Sequence, residues 1–181
     1  MIFPASTDDS LIASVSLLLI ENDQVDEMAL TKAIAENALP YQMTIARSVA
    51  EARQILATRS FDIILADYSL PDGTSFDLTE EFAGQVVIFI TGSGNEETAA
   101  QALYLGAHDY LIKDPQRNYL KLLPYRMETA LRQTRMTHEL RESEAQLRDL
   151  FDGTSDLIQS ITPDGRILFV NRAWRETLGY P

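Results

Sequence analysis

Four groups of polar side chains each come directly after a short apolar run: Glu21-Asn22-Asp23, Asp67, Thr91 and Lys113. Apolar runs of about four to eight residues between polar residues are typical of strands buried on both faces of a parallel sheet. Ligands of such sheets bind at the carboxyl ends of the strands. We therefore expect the four groups to meet at one edge of a sheet.

Three carboxylates, an amide, a hydroxyl and an ammonium indicate a particular chemistry. Carboxylate oxygens with few nitrogens suit Mg²⁺, which binds through one or two carboxylates and keeps several waters. Such a cation would offset the repulsion between Glu21 and Asp67 and leave Asp67 able to attack phosphorus. Thr91 and Lys113 would then donate hydrogen bonds to the phosphoryl oxygens.

The elements that must position these side chains alternate along the chain. Strands are predicted over 15–20, 42–46, 62–66, 86–90 and 110–112. Helices are predicted over 25–39, 49–58 after a Ser48–Glu51 capping box, 75–82, 96–105 between a Gly94-Asn95 cap and Gly106, and from Tyr119 onward. This alternation predicts an α/β doubly wound parallel sheet.

The last helical pattern continues over residues 119–151 with no Gly or Pro between Arg126 and Phe151. Leu140, Leu147 and Leu150 fit a short heptad on it. A helix of this length needs a partner to be stable, so we expect a homodimer through residues 119–151. The alternative is a single solvated linker helix.

The segment after Gly153 has a different pattern. Residues 157–161 and 166–170 flank a Thr-Pro-Asp-Gly turn and predict a β-hairpin. Asn171 is the expected N-cap of a short helix that Gly179 ends. Two strands and one helix bury too little apolar surface to fold alone, so we interpret them as the start of a second domain.

Composition excludes several classes of protein. The 181 residues contain 15 Lys+Arg against 27 Asp+Glu, for a net charge of −12, and no cysteine. The acidity predicts no nucleic-acid partner, and the missing cysteines exclude disulfides and thiolate metal sites. The longest apolar run is far shorter than the ~20 residues of a membrane span. We expect a cytoplasmic protein with no membrane partner.

The motif set resembles the receiver domain of two-component response regulators over about residues 14–130. The resemblance is carried by Glu21-Asn22-Asp23, Asp67 with Leu70-Pro71-Asp72-Gly73, Thr91-Gly92 and Tyr110-Leu111-Ile112-Lys113. It implies a flavodoxin-like fold of five parallel strands in the order 2-1-3-4-5. It also implies phosphoryl transfer from a sensor histidine kinase or phosphotransfer protein, with no enzymatic activity beyond the domain's own phosphorylation and dephosphorylation.

The resemblance also assigns roles to single residues. Asp67 would be the phosphoacceptor, assisted by Thr91 and Lys113, and Thr91 and Tyr110 would form the switch pair. The Mg²⁺ ligands would come from Glu21, Asn22, Asp67 and the backbone carbonyl of Ser69.

One position departs from the family pattern. Asn22 stands where receivers usually have their main acidic metal ligand, and Asp23, one residue on, is a further candidate. We expect weakened but not abolished Mg²⁺ binding, because an amide oxygen can still coordinate the ion. The alternative function is a degenerate receiver that acts only as a docking platform for a small-molecule sensor.

The end of the chain resembles the start of a PAS domain, a common sensor module. The expected organisation is a leader at 1–13, a receiver domain at 14–130, a signalling helix at 131–150 and the N-terminal part of a PAS domain at 151–181. In this arrangement the helix would transmit the state of the receiver to an output module.

Overall fold

The computed structural model describes residues 14–36, 41–92 and 96–179, which form a parallel sheet with helices on both faces and a separate hairpin. The strands are β1 (Val15–Ile20), β2 (Tyr41–Ala46), β3 (Ile63–Asp67), β4 (Ser69–Leu70), β5 (Gly73–Thr74), β6 (Val86–Thr91), β7 (Asp109–Ile112), β8 (Gln159–Ile161) and β9 (Ile167–Val170). The helices are α1 (Gln24–Ala35), α2 (Val49–Leu56), α3 (Glu96–Tyr104), α4 (Tyr119–Gly153) and α5 (Arg172–Leu178), with a 3₁₀ helix at Ser75–Leu78.

The five long strands of the first sheet are parallel and lie in the order β2-β1-β3-β6-β7. This order confirms the predicted flavodoxin-like topology, because β4 and β5 form a separate two-residue antiparallel hairpin between the third and fourth strands. Ile20 pairs with Ala66, and Asp67 pairs with Ile90. The carboxyl ends of β1, β3 and β6 therefore lie at one edge of the sheet.

Helices cover both faces of the sheet, as expected for strands made of continuous apolar runs. Leu17 and Leu19 of β1 belong to a buried cluster that includes residues of α1 and α4. Leu18 and Ile20 belong to a second cluster with residues of α2 and α3. Successive side chains of a strand point to opposite faces, so this division confirms that β1 is buried on both sides.

Two predicted helices are shorter in the structure. The helix predicted over 25–39 ends at Ala35, and residues 37–40 lie outside the described residues. The helix predicted over 75–82 is a four-residue 3₁₀ helix followed by turns. Its Asp77 carboxylate accepts a hydrogen bond from the Thr74 amide at 2.9 Å. This bond caps the start of the 3₁₀ helix. At its end the Thr79 hydroxyl donates to the Phe76 carbonyl at 3.0 Å, and side-chain bonds of this kind compete with a continued α-helix.

The predicted helix caps are confirmed in part. Ser48 Oγ accepts a hydrogen bond from the Glu51 amide at 3.1 Å, as the capping box requires. The Glu51 carboxylate, however, accepts from the Arg47 amide at 2.7 Å, one residue before the cap. Gly106, at a φ of +90°, follows the end of α3 as predicted. The cap expected at Gly94-Asn95 includes residues outside the described part of the chain.

α4 is 35 residues long and changes character along its length. Leu123, Met127 and Leu131 are buried with the sheet residues, whereas Leu140 and Leu147 are exposed. Its downstream half therefore presents apolar side chains to solvent. Among the helices of the described residues, none is both long enough and apolar enough to cross a membrane.

The described residues divide into two units, one up to Gln133 and one from Thr134. In the second unit β8 and β9 pair in antiparallel fashion, and Asn171 caps α5 by accepting from the Trp174 amide at 3.1 Å. Gly179 ends α5 with a φ of +71°. The hairpin, the cap and the stop agree with the sequence analysis, and the assignment of this unit to a PAS domain stays a prediction.

Candidate functional site

The carboxyl edge of the first sheet contains an open cleft of about 480 Å³. All the polar groups that the sequence analysis expected at this edge line it: Glu21, Asn22, Asp23, Asp67, Ser69, Thr91 and Lys113. Each reaches the cleft because a strand ends beside it. The side chains of Asp26 and Lys113 also meet here, although their residues are 87 positions apart in the sequence.

Lys113 is the centre of the charge arrangement in the cleft. Its ammonium nitrogen donates to Glu21 Oε2 at 2.7 Å and to Asp26 Oδ2 at 2.9 Å, and it lies 3.4 Å from Asp67 Oδ1. Burial acts to lower the pKa of Lys113, but the hydrogen bonds to Glu21 and Asp26 outweigh it and raise that pKa above its usual value. Lys113 therefore stays charged throughout the physiological pH range.

Glu21 is held in the interior by this ammonium. It is 1% exposed, and a carboxylate so far from water is costly unless it is paired and hydrogen-bonded. Its second oxygen accepts from the Asp23 amide at 2.9 Å. Both carboxylate oxygens are thus engaged inside the protein.

Asp67 is the most strongly perturbed acid of the cleft. Burial raises its pKa to about 6, the Lys113 charge acts in the opposite direction, and the charge of Glu21 adds to the increase. Three carboxylates around one ammonium leave an excess of negative charge beside Asp67. A cation bound at Asp67 would stabilise the charged form of this carboxyl group.

Asp23 has a structural contact that the sequence analysis did not anticipate. Its Oδ1 accepts from the amides of Val25 and Asp26 at 2.8 and 3.0 Å, which makes it the N-cap of α1. These main-chain hydrogen bonds hold its pKa below the usual range. One oxygen of Asp23 is therefore committed to the helix start.

Thr91 and Tyr110, the expected switch pair, are close to each other. Thr91 is 2% exposed, and its carbonyl accepts from the Lys113 amide at 2.8 Å. Burial raises the pKa of the Tyr110 phenol, and the nearby Thr91 side chain partly offsets this increase. The Tyr110 hydroxyl oxygen is buried, and no group of the described residues lies in hydrogen-bonding geometry with it.

The oxygen atoms around Asp67 are suited to coordinate a hard cation that keeps most of its water ligands. Within the described ranges, no three His, Cys, Asp or Glu side chains are arranged to hold a metal ion by themselves. Glu21 is bound to Lys113, and Asp23 caps α1. Other oxygen atoms that line the cleft include those of Asp67, Asn22 and Ser69. One carboxylate with neutral oxygens is compatible with Mg²⁺, which keeps several waters.

Besides the capping role of Asp23, the sequence analysis missed two further contacts at or near the cleft. Asp26 binds Lys113, and its one available signal was an acidic residue in the first turn of a helix that starts beside the cleft. Asp72, noticed only as part of a loop motif, accepts from the amides of Val49 and Ala50 at 2.7 and 2.9 Å. It thus fastens the β4–β5 hairpin to the start of α2.

Curated relatives match the first part of the chain. The Response regulator protein PilR of Pseudomonas aeruginosa is 37% identical over 118 residues, which are 63% of this chain and 26% of the relative. The Acid tolerance regulatory protein ActR of Rhizobium meliloti is 34% identical over 113 residues, 60% of this chain and 57% of the relative. The chain therefore spans between about a quarter and somewhat more than half of the length of these proteins.

Solved structures show the same fold at lower identity. The signal receiver domain of a putative Luxo repressor protein from Vibrio parahaemolyticus matches with a TM-score of 0.62 at 19% identity, over 70% of this chain and 97% of that one. The Mn²⁺-bound form of response regulator Rcp1 matches with a TM-score of 0.55 at 20% identity, over 60% and 88% of the two chains.

The family comparison covers more than half of the protein. Residues 17–123 match the response regulator receiver domain, and this range includes every strand of the first sheet except the first two residues of β1. All the polar residues of the cleft fall within it. Through these residues the chain belongs to the response regulator receiver domain family of two-component systems.

Proposed function

We propose that the receiver domain accepts a phosphoryl group on Asp67 in a Mg²⁺-dependent step. The observation that carries this proposal is the position of Asp67, at the end of β3 in an open cleft and 3.4 Å from the Lys113 ammonium. The donor is the phosphohistidine of a sensor histidine kinase or phosphotransfer protein, as receiver-family membership suggests. The domain catalyses no reaction beyond the formation and loss of its own acyl phosphate.

The reaction is a displacement at phosphorus. An oxygen of the Asp67 carboxylate forms the new P–O bond, while the P–N bond to the donor imidazole breaks and its electron pair stays on the ring. Lys113 and the Thr91 hydroxyl donate to the phosphoryl oxygens. Glu21 holds Lys113 in place from the interior.

The cation would be held by the Asp67 carboxylate, the Asn22 amide oxygen and the Ser69 carbonyl. When bound, Mg²⁺ would offset the negative charge of Asp67 and of the incoming phosphoryl oxygens. The Mn²⁺-bound form of the structurally similar Rcp1 supports a divalent ion in this fold.

Labelling with acetyl phosphate tests the proposal. We expect phosphorylation, seen as retardation on a phosphate-affinity gel, that requires Mg²⁺ and disappears in Asp67→Asn. Asp62→Asn is the matched control, since Asp62 lies just before the same strand, where it binds Ser16. Labelling that persists in Asp67→Asn would refute the site, and labelling that is unaffected by EDTA would refute the metal requirement.

Asn22→Asp is expected to tighten Mg²⁺ binding about ten-fold. An added carboxylate close to the ion contributes on the order of 1–2 kcal/mol after desolvation, which corresponds to this change in affinity. Calorimetric titration of Mg²⁺ measures it. Gln42→Glu adds the same charge on β2, where Gln42 pairs with Ser16 of β1 rather than with a residue of the cleft, and should leave the affinity unchanged. Equal affinities of Asn22→Asp and the parent protein would contradict the assignment of Asn22 as a ligand.

We also propose that the chain forms a homodimer through residues 119–151, which carries the signal to an output module. The support is the exposure of Leu140, Leu147 and Leu150 on α4, an apolar stripe that monomers seldom present to water. Sedimentation at tens of micromolar should give the dimer mass, and Leu140→Glu with Leu147→Glu should give the monomer. Leu168→Glu, an exposed position on β9, is the control and should leave the mass unchanged.

A docking platform without phosphotransfer is the second candidate function. It is favoured by Asn22 in place of a metal-binding carboxylate and by the tight pairing of Glu21 with Lys113. In that case the unit after Gln133 would be part of a small-molecule sensor. A protein that takes no label from acetyl phosphate at saturating Mg²⁺ would favour this function. With either function, we propose that these acidic residues bind no nucleic acid.

A further inference from the structure

The hydrogen bonds of Lys113 are unevenly distributed. Its ammonium has three N–H donors and is surrounded by three carboxylates. The bonds to Glu21 and Asp26 are 2.7 and 2.9 Å long, whereas Asp67 lies at 3.4 Å. The carboxylate that would carry the phosphoryl group is thus the most weakly bound of the three. Asp26, on α1, is the acceptor with no role in the proposed reaction.

The second oxygen of Asp26 faces another cation. Arg117 Nη2 lies 3.8 Å from Asp26 Oδ1, slightly longer than a direct hydrogen bond. Among the described residues, Arg117 is the one non-glycine residue with a positive φ, +56°. Non-glycine residues with this backbone conformation are strained, and they cluster at active sites and switch regions. Arg117 stands two residues before α4 begins.

We propose that Asp26 is a positioning residue that holds Lys113 away from Asp67 and exchanges Lys113 for Arg117 when Asp67 becomes phosphorylated. This inference rests on the proposed function of Asp67. A phosphoryl group replaces one negative charge with about two and adds strong acceptor oxygens. It therefore competes with Asp26 for the Lys113 donors, and the released Asp26 carboxylate is neutralised by Arg117.

The exchange has a direct consequence for the receiver. Charge-assisted hydrogen bonds are short, so Arg117 must approach Asp26 to replace Lys113. The movement takes place in the loop between β7 and α4, where the Arg117 amide donates to the Asp114 carbonyl at 2.9 Å. The charge of Asp67 is in this way linked to the residues that lead into α4.

Beryllium fluoride, a non-covalent mimic of a phosphoryl group, tests the competition. Its affinity for the full chain at saturating Mg²⁺ is measured by ¹⁹F NMR titration. We expect Asp26→Asn to bind it about three- to ten-fold more tightly, since an amide oxygen accepts from Lys113 less strongly than a carboxylate. Asp26→Glu, which keeps the charge, should retain the affinity of the parent protein.

Asp23→Asn separates positioning from simple charge. Asp23 lines the same cleft and carries the same charge, but its Oδ1 is bound to main-chain amides rather than to Lys113. Asparagine is also a good N-cap, so α1 should be preserved. We expect a smaller gain in affinity than in Asp26→Asn. Equal gains would show that only net charge matters and would overturn the proposal.

A double-mutant cycle tests the exchange with Arg117. Arg117→Gln should weaken the binding of beryllium fluoride, because the released Asp26 then lacks a cation. In the Asp26→Asn background the same substitution should have a clearly smaller effect. Additive effects would contradict the exchange.

The outcomes also separate this inference from the proposed function. If the parent protein neither binds beryllium fluoride nor takes label from acetyl phosphate, the proposed function of Asp67 fails and this inference fails with it. If the parent protein does both and Asp26→Asn binds with unchanged affinity, the inference alone fails.

Discussion

Lys113→Met is expected to lower the free energy of unfolding by about 3–5 kcal/mol, the cost of removing one partner of a buried ion pair. The reason is Glu21, which is 1% exposed and loses its ammonium partner at 2.7 Å. Asp26 and Asp67 would lose their shared cation as well. Urea denaturation at pH 7 in the presence of EDTA measures the change.

Two further variants make this expectation specific. Glu21→Gln combined with Lys113→Met should recover a substantial part of the lost stability, because the buried charge is removed with its partner. Lys32→Met is the matched control, since its 4.0 Å pair with Glu36 is largely exposed and contributes at most about 1 kcal/mol. If Lys113→Met were as stable as Lys32→Met, the Glu21 carboxylate could not depend on this ammonium.

Asp67→Asn is expected to stabilise the fold at pH 8. The pKa of Asp67 is about 6, above its ordinary value of 3.8, so the folded state binds the proton more tightly than the unfolded state. Stability is therefore lost as the pH rises from about 4 to about 6, and the full loss persists at higher pH. The two-unit shift, discounted for partial exposure, corresponds to about 1–2 kcal/mol. Asparagine avoids this loss, so the gain should appear at pH 8 and vanish near pH 4 in EDTA.

Asp72→Asn provides a control of opposite sign. Hydrogen bonds from the amides of Ala50 and Val49 hold the pKa of Asp72 below its usual range, so its charge stabilises the folded state above that range. This variant should lose stability at pH 8 and lose less as the pH falls. A gain for Asp67→Asn of the same size at pH 4 and pH 8 would mean that its cause is not the charge of Asp67.

The strand ends were predictable because a strand that is buried on both faces consists of consecutive apolar residues. β1 ends in a continuous apolar run, and β3 and β6 are apolar up to their last residues, so the first polar residue after each run marks the edge of the sheet. Glu21 and Asp67 were found in this way. Of the helix predicted over 75–82, only Ser75–Leu78 is helical, as a 3₁₀ helix, and hydrophobic periodicity does not describe the local bond from Thr79 to Phe76 at its end.

Contacts between distant side chains were not predictable from strand ends. Asp26 reaches Lys113 only because α1 starts beside the end of β7, across 87 residues of sequence. An acid in the first turn of a helix is also common for a simpler reason, its favourable interaction with the helix dipole. Nothing in the residue types separated these two cases before the distances were known.

The anchoring of the β4–β5 hairpin by Asp72 offers a way to observe the cleft without labelling it. The amides of Val49 and Ala50 donate to the Asp72 carboxylate across 23 and 22 residues of sequence, so these two donors sense the position of the hairpin next to Asp67. Amide proton frequencies depend steeply on hydrogen-bond length. The amide proton shifts of Val49 and Ala50 would thus report on changes at Asp67 without any label attached to the cleft.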